Sequence, residues 1–174
     1  VLDSLDELNL AVDLAIYTAP PGRSRAIDRY AGSARFAEAS EEALMLEAMR
    51  KARFAILLAQ RRHPSVGLIV ADLFRKVDLW LIDEGLEKSL PVGAAFATRY
   101  FAPEPFIMTA GVGVPVDRVA LTRAIESAPQ LLRRPHDEAI DDRRFAEAVY
   151  RGAIDDGTAE RIAYRDPIGA GGEG

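Results

Sequence analysis

Three aspartates, Asp72, Asp78 and Asp83, fall in one stretch of this 174-residue chain that the sequence predicts to be a β-hairpin. Carboxylates gathered around one point are typical of two-metal phosphoester hydrolases, whose ions lie about 4 Å apart. With the hairpin tip at residues 75–76, Asp72 and Asp83 share a face but stand about 13 Å apart, and Asp78 points to the other face. A metal-dependent phosphoester hydrolase therefore stays an alternative that needs a further ligand from elsewhere in the chain.

Other catalytic signatures are missing from the sequence. The chain has no cysteine, which excludes disulfides, thiolate nucleophiles and Cys-ligated zinc. It contains no Gly-x-x-x-x-Gly-Lys-Ser/Thr phosphate loop and no Gly-x-Ser-x-Gly nucleophile elbow. Of its two histidines, we interpret His63 as the end of a helix and His136 as a loop residue. We assign no catalytic residue, no metal ligand and no cofactor, and we favour a protein that is not an enzyme.

A binding function is favoured instead, and two short stretches supply candidate contact residues. Arginine and aromatic side chains are the usual anchors of protein interfaces, and Arg99, Tyr100 and Phe101 stand together before a proline-rich turn. In an alternating strand, Arg99 and Phe101 share one face and Tyr100 takes the other. The second stretch is the acidic pair Asp83 and Glu84, which follows an apolar strand. We therefore predict that these five residues contact a partner.

A nucleic-acid-binding regulator is a second alternative, and the charge distribution argues against it. The formal net charge is −5, which disfavours a general phosphate-binding surface. The basic clusters are Arg61-Arg62-His63, Arg133-Arg134 and Arg143-Arg144. Aspartates flank the last cluster on both sides and would repel phosphate. The only candidate recognition helix, residues 158–165, is too short and too balanced in charge.

The candidate residues lie in a segment whose pattern is that of a β-sheet. Residues 66–74, 77–83, 93–101 and 106–112 are rich in β-branched, aliphatic and aromatic residues, which predicts a four-stranded antiparallel meander. For residues 93–101, a helix capped by Ser89 is a second interpretation. An open sheet leaves edges that a second copy of the chain would cover, so a homodimer, or another protein partner, is expected.

Helices are expected before and after this sheet. Residues 41–62 contain neither glycine nor proline and place apolar residues at helical spacing, which predicts one long helix, capped by Ser40, as the support for the meander. Two later helices are expected to begin at Asp117 and at either Asp141 or Asp142. The fold class is therefore predicted to be α+β.

Length and composition bound the class of protein. A chain with 49% hydrophobic and 28% charged residues fits one globular domain, which we place at residues 1–168, before a flexible glycine-rich tail at 169–174. The longest apolar run, at 66–71, is far below the roughly 18 residues of a membrane span, and no signal segment opens the chain. We expect a cytoplasmic protein without membrane contact. The excess of arginine over lysine indicates GC-rich coding and a bacterial source.

Overall fold

Helices at both ends of the chain enclose a central antiparallel sheet. The computed structural model describes residues 5–129, 133, 135–155 and 157. The helices are α1 (Leu5–Tyr17), α2 (Ala26–Ser33), α3 (Glu41–Arg50), α4 (Glu84–Ser89), α5 (Arg118–Ser127), α6 (His136–Asp141) and α7 (Arg143–Asp155). The strands are β1 (Arg53–Arg62), β2 (Leu68–Asp72), β3 (Val77–Leu81), β4 (Ala95–Phe101), β5 (Met108–Thr109) and β6 (Val114–Pro115). The predicted α+β class is confirmed.

The predicted long helix over residues 41–62 is wrong beyond Arg50. Helix α3 begins as expected, because the Ser40 hydroxyl accepts a hydrogen bond from the backbone nitrogen of Ala43. The following segment is strand β1, most of which is buried on both faces. A strand covered on both faces is apolar at consecutive positions and shows no two-residue period. With no glycine or proline to mark the break, periodicity alone does not separate such a strand from a buried helix.

Strand β1 lies at the centre of the sheet and corrects the predicted meander. Its first half pairs with β4 and its second half with β2, antiparallel in both cases. The strand order is β3-β2-β1-β4-β5, and β6 also pairs with β4. The β2–β3 hairpin and the strand interpretation of residues 93–101 are confirmed. The strand expected at 106–112 is shorter, since only β5 forms there.

The hairpin between β2 and β3 has a register that differs from the predicted one. Asp72 pairs with Val77, two positions from the expected partner Leu79, so residues 73–76 form the loop. The Asp72 carboxylate holds this loop by accepting hydrogen bonds from two of its backbone nitrogens. Lys76, the last loop residue, has φ 56°. Because the register moves by two residues, each side chain keeps its predicted face of the sheet.

The sheet curls until its two ends meet. The backbone nitrogen of Ile107 donates to the Trp80 carbonyl oxygen at 2.7 Å, and that of Ile82 donates to the Ile107 carbonyl oxygen at 2.9 Å. The segment entering β5 therefore lies parallel beside the edge of β3. A bulge between Ala59 and Arg61 in β1 adds local bend and twist. Strands β1 to β5 thus form a small barrel-like ring.

Apolar clusters cover the inside of the ring and part of its outside. The inner cluster includes Leu57, Val70, Phe96 and Ile107, with Leu86 of α4 packed against it. The outer cluster joins the β1 and β4 side chains to α1, α5 and α7. The outer faces of β2 and β3 stay partly exposed; the residues there are Ile69, Ala71, Asp78 and Trp80.

Helices precede and follow the sheet as expected, and the two later ones begin close to their predicted positions. Helix α1 ends before Pro20, and the Asp117 carboxylate caps α5 by accepting from the backbone nitrogen of Ala120 at 2.7 Å. Helix α7 follows Asp142, and His136, expected in a loop, is the first residue of α6. The predicted domain boundary at residue 168 and the glycine-rich tail at 169–174 lie outside the described residues.

Two glycines with positive φ allow a test of how closely β3 packs beside the chain that enters β2. Gly67 and Gly93 have φ of +82° and +89°, but a Cβ at Gly67 would lie 2.2 Å from the Leu81 carbonyl oxygen, whereas a Cβ at Gly93 has nothing within 4 Å. Both alanine variants lose about 1–2 kcal/mol from left-handed backbone. Gly67→Ala should lose about 3 kcal/mol or more, because β3 must move. Urea denaturation measures both, and equal losses would contradict this account.

Candidate functional site

Three rings meet on the outer face of strand β3. The His63 imidazole stacks on the Trp80 indole with ring centroids 4.3 Å apart and an interplanar angle of 18°. The Phe106 ring packs edge-on against the indole, with centroids 5.7 Å apart. Trp80 Nε1 donates to the Val66 carbonyl oxygen at 2.8 Å, which fixes the indole orientation. All three side chains are half-buried, and we call His63, Trp80 and Phe106 the aromatic platform.

Closure of the ring assembles the aromatic platform from three separate elements. His63 follows β1, Trp80 lies in β3, and Phe106 belongs to the loop that meets the edge of β3. Directly paired residues of neighbouring strands point to the same side of a sheet. Trp80 pairs with Ile69, which pairs with Arg61, so Arg61, Ile69 and Trp80 form one row across three strands.

Unpaired positive charge lies at one end of this row. Arg61 and Arg62 are exposed, and neither forms an ion pair with another residue in the described ranges. The nearest carboxylate in the adjacent row, that of Asp78, accepts a hydrogen bond from Gln60 Nε2 at 2.9 Å. The arrangement is therefore suited to stacking a flat group on the rings and to pairing a neighbouring negative charge with the guanidinium groups.

The acidic pair predicted from the sequence has local structural roles. Asp83 Oδ1 accepts from the backbone nitrogen of Leu86 at 2.9 Å, which caps α4, and Asp83 Oδ2 accepts from the Thr109 hydroxyl at 2.5 Å. Glu84 is exposed and pairs with Lys88 at 2.5 Å. The hydrogen bond from the Lys88 ammonium group lowers the pKa of the Glu84 carboxyl group. Asp83 and Glu84 thus each have a partner within the described part of the chain.

The other three predicted contact residues are buried inside the protein. Tyr100 faces the inside of the ring, and burial raises the pKa of its hydroxyl group. Arg99 lies on the opposite face, below the terminal helices, and Phe101 is also buried. Arg99, Tyr100 and Phe101 therefore do not form an exposed patch in this chain, and their contact with a partner stays a prediction.

Arg99 belongs to a buried ion pair that joins three elements. Arg99 is 6% exposed and Asp13 of α1 is 3% exposed. Arg99 Nε and Nη2 donate to the Asp13 carboxylate at 3.1–3.2 Å, and the Tyr150 hydroxyl of α7 donates to the same carboxylate at 3.2 Å. Burial, followed by the negative charge of Asp13, raises the pKa of Tyr150, so this hydroxyl stays a donor. A Cβ at Gly111 would lie 2.7 Å from Asp13 Oδ1, so a side chain at position 111 would displace this carboxylate.

The three hairpin carboxylates go to separate partners. Asp72 is fully buried and accepts a hydrogen bond from Arg75 Nη1 at 2.6 Å, while Asp78 bonds Gln60 and Asp83 caps α4. In the described part of the chain, no three His, Asp or Glu side chains lie close enough together to hold a metal ion. The ligand set that the hydrolase alternative needs is thus not assembled by these residues.

Residues 1–159 match the model of a protein family, described as a family of unknown function, DUF7986. The chain belongs to this family. No curated protein and no solved structure matches the chain. Among the described residues of this DUF7986 protein, none of the helices has the length and apolar character needed to cross a membrane. Its function is therefore argued from the site alone.

Sequence analysis of this DUF7986 chain missed the aromatic platform, although one signal for it exists. Asp72 and Asp78 were correctly predicted to face opposite sides of the sheet. Trp80 lies two residues after Asp78 and must share its outer face. His63 was interpreted as a helix end because β1 was taken for helix, and Phe106 reaches Trp80 only through closure of the ring. Strand parity thus predicts an outward-facing Trp80 but not its two neighbours.

Removing one partner of the buried ion pair should destabilise the protein strongly. Asp13→Asn leaves the Arg99 guanidinium buried without a carboxylate, which should cost about 3–5 kcal/mol of unfolding free energy. The double variant Asp13→Leu/Arg99→Met should recover most of this loss, because neither charge remains.

The exposed pair between Arg53 and Asp141 supplies the control. Arg53→Gln should cost less than about 1 kcal/mol, since solvent screens this pair. Guanidinium denaturation of the four proteins measures the differences. A loss in Asp13→Asn as small as that in Arg53→Gln, or a double variant no more stable than Asp13→Asn, would argue against the role given to the buried pair.

Proposed function

We propose that this protein binds single-stranded nucleic acid across the aromatic platform and the exposed outer faces of β2 and β3. The observation that carries the proposal is the stack of His63 on Trp80, beside Phe106 and in one row with the unpaired Arg61. The proposal reverses the expectation drawn from net charge, because the relevant quantity is the charge at the platform. It is a proposal of binding and includes no catalytic step.

The chemistry of the platform suits a chain of bases joined by phosphates. Every base has a flat π-face, and stacking a base on an aromatic side chain is worth about 1–3 kcal/mol. The exposed guanidinium groups of Arg61 and Arg62 supply donors for phosphate oxygens. Because stacking is indifferent to base identity, little sequence preference is expected. Binding should also weaken as salt rises, since phosphate contacts release counterions.

The connectivity of the sheet offers a fold-level analogy. The oligonucleotide- and oligosaccharide-binding (OB) fold is a five-stranded, partly open Greek-key barrel. It binds its ligands on the face of strands 2 and 3 and on two flanking loops. One loop joins strands 1 and 2, and the other joins strands 4 and 5. The ring described above resembles that barrel, with His63 in the first loop and Phe106 in the second. Fold does not decide function, so the analogy is secondary to the rings and charges.

Trp80→Ala should weaken the binding of a labelled oligonucleotide. With a fluorescein-labelled 12-residue oligothymidylate at low salt, fluorescence anisotropy should show an affinity lower by about 10-fold or more, because a stacking surface is lost. Trp80 is the only tryptophan in the chain, so quenching of intrinsic fluorescence in the wild type reports stacking on this ring directly. Circular dichroism checks that the variant is folded.

Two further variants separate stacking from general attraction. Tyr30→Ala removes an exposed aromatic side chain from α2, far from the platform in sequence, and should leave the affinity unchanged. Arg61→Gln/Arg62→Gln should reduce the slope of log affinity against log salt by about 0.7 per arginine. No binding by the wild type at low salt, or equal affinity in the wild type and Trp80→Ala, would rule the proposal out.

A protein partner, including a second copy of the chain, is the second candidate for the same surface. The observation that favours it is the chemistry of the platform, since tryptophan and arginine are enriched among the residues that dominate protein interfaces. Val66, next to the platform, is an exposed apolar residue. The edge of β3, however, is bonded to Ile107 within the chain, so an uncovered edge there no longer supports a dimer.

Light scattering during size-exclusion chromatography tests self-association through the platform. If a second copy covers it, the wild type should have a dimeric mass and Trp80→Ala a monomeric mass at the same concentration, because the central anchor of the interface is lost. Tyr30→Ala is again the control and should behave as the wild type. A wild type that stays monomeric at high concentration would exclude self-association.

A further inference from the structure

A cavity of about 400 Å³ lies where the end of α1 and the start of β1 meet the junction of α6 and α7. Its size is in the range of small-molecule sites. Five arginines and two aspartates line it, so the lining is basic although the whole chain carries a net charge of −5. Arg99 of the buried ion pair is one of the five, and Arg53 is another.

Tyr17 lines this cavity, and its buried hydroxyl group lacks a partner among the described residues. The residue is 4% exposed, and its hydroxyl forms no hydrogen bond within the part of the chain that the structure describes. Burial is the largest cause that raises the pKa of Tyr17, followed by the charge of Asp13, so the hydroxyl stays protonated at neutral pH. Buried polar groups nearly always have a hydrogen-bond partner. This donor is therefore suited to an acceptor atom that enters the cavity.

Two arginines in the lining have guanidinium nitrogens without an acceptor among the described residues. Arg99 uses Nε and Nη2 for Asp13, and among the described residues its Nη1 has no acceptor. Arg23 forms no ion pair with a described residue. A third, Arg25, is held in place by Asp28 at 2.7 Å and by the Arg50 carbonyl oxygen at 2.8 Å. The planar guanidinium group matches the oxygens of a carboxylate or phosphate.

The two aspartates in the lining are occupied by other arginines. Asp141 accepts from Arg53 at 2.7 Å and from Arg75 at 2.6 Å. Asp142 accepts from Arg144 at 2.7 Å. The positive charges of these arginine partners compensate both carboxylates. Neither carboxylate therefore neutralises Arg23 or pairs with Arg99 Nη1. The uncompensated charge of the cavity is positive.

We infer that this cavity binds a small oxyanion, a carboxylate or a phosphate group of a small molecule. The Tyr17 hydroxyl, Arg23 and Arg99 Nη1 supply the donors, and Arg25 adds positive charge at the wall. The inference is independent of the proposed nucleic-acid site, because no residue of the aromatic platform lines the cavity.

Thermal unfolding with sodium phosphate and, separately, with sodium citrate tests the inference and distinguishes the two kinds of oxyanion. Ionic strength is held constant with sodium chloride. A ligand that binds the native state raises the melting temperature by mass action, and calorimetric titration gives the affinity. In Tyr17→Phe and in Arg23→Gln, the affinity for the oxyanion that binds should fall by about tenfold or more, because each variant removes a donor. Arg35→Gln, an exposed arginine outside the cavity lining, should behave as the wild type.

The ligand-free proteins separate binding from a merely structural role for Tyr17. Without added oxyanion, Tyr17→Phe should melt at the same temperature as the wild type or higher, because it removes a buried hydroxyl that has no partner. A lower melting temperature together with unchanged oxyanion affinity would overturn the inference.

Two further results would also overturn it. One is the absence of stabilisation by both phosphate and citrate at millimolar concentrations. The other is an equal rise in the wild type and in all three variants, which is the general effect of excluded salts. Trp80→Ala should keep the wild-type response to the oxyanion, so failure of this inference is distinguishable from failure of the nucleic-acid proposal.

Discussion

Most of strand β1 is buried on both faces, the strand pairs with a neighbour on each edge, and the rest of the sheet takes its position from it. Residues 53–58 pair with β4 and residues 57–62 with β2, so Leu57 and Leu58 belong to both ladders. Sharing one strand between two ladders forces them to diverge, and the bulge near Arg61 increases the bend. The curl brings β3 beside Ile107 and thereby carries His63 and Phe106 to Trp80.

Most of β1 is buried on both faces because the strand is central, and for the same reason the sequence did not predict it as a strand. Elements defined by local signals were predicted well: Ser40 and Asp117 cap their helices, and the β2–β3 hairpin has its expected faces. In β1, Phe54 and Ile56 are buried against the terminal helices, while Ala55 and Leu57 are buried inside the ring. Because its consecutive positions are apolar, a run of this kind fits a buried helix as well as a buried strand. Only its partners in the sheet decide its conformation, and those lie elsewhere in the chain.

Dependence on contacts with distant parts of the chain also separates the site residues that the sequence predicts from those that it does not. Residue type drew attention to Arg99 as a surface anchor, but its partner Asp13 is 86 residues away in sequence, so no local pattern indicates that the arginine is buried. Asp83 was predicted as a residue that contacts a partner, and its hydrogen bond with Thr109 likewise depends on the curl. Trp80 is different, since the parity of β3 alone places it outward.

The distribution of paired and unpaired charge explains how an acidic chain presents two basic sites. The buried carboxylates of Asp13 and Asp72 and the exposed carboxylate of Asp141 each have an arginine partner, so their negative charge is compensated locally. The cavity and the aromatic platform lie near opposite ends of β1, at Arg53 and Arg61, about 26 Å apart along an extended strand. That separation exceeds the Debye length of about 8 Å at physiological salt and the range of about 7–10 Å within which substitutions usually couple. The charge at each of these two places is therefore set by its own residues, and the net charge of −5 does not describe either one.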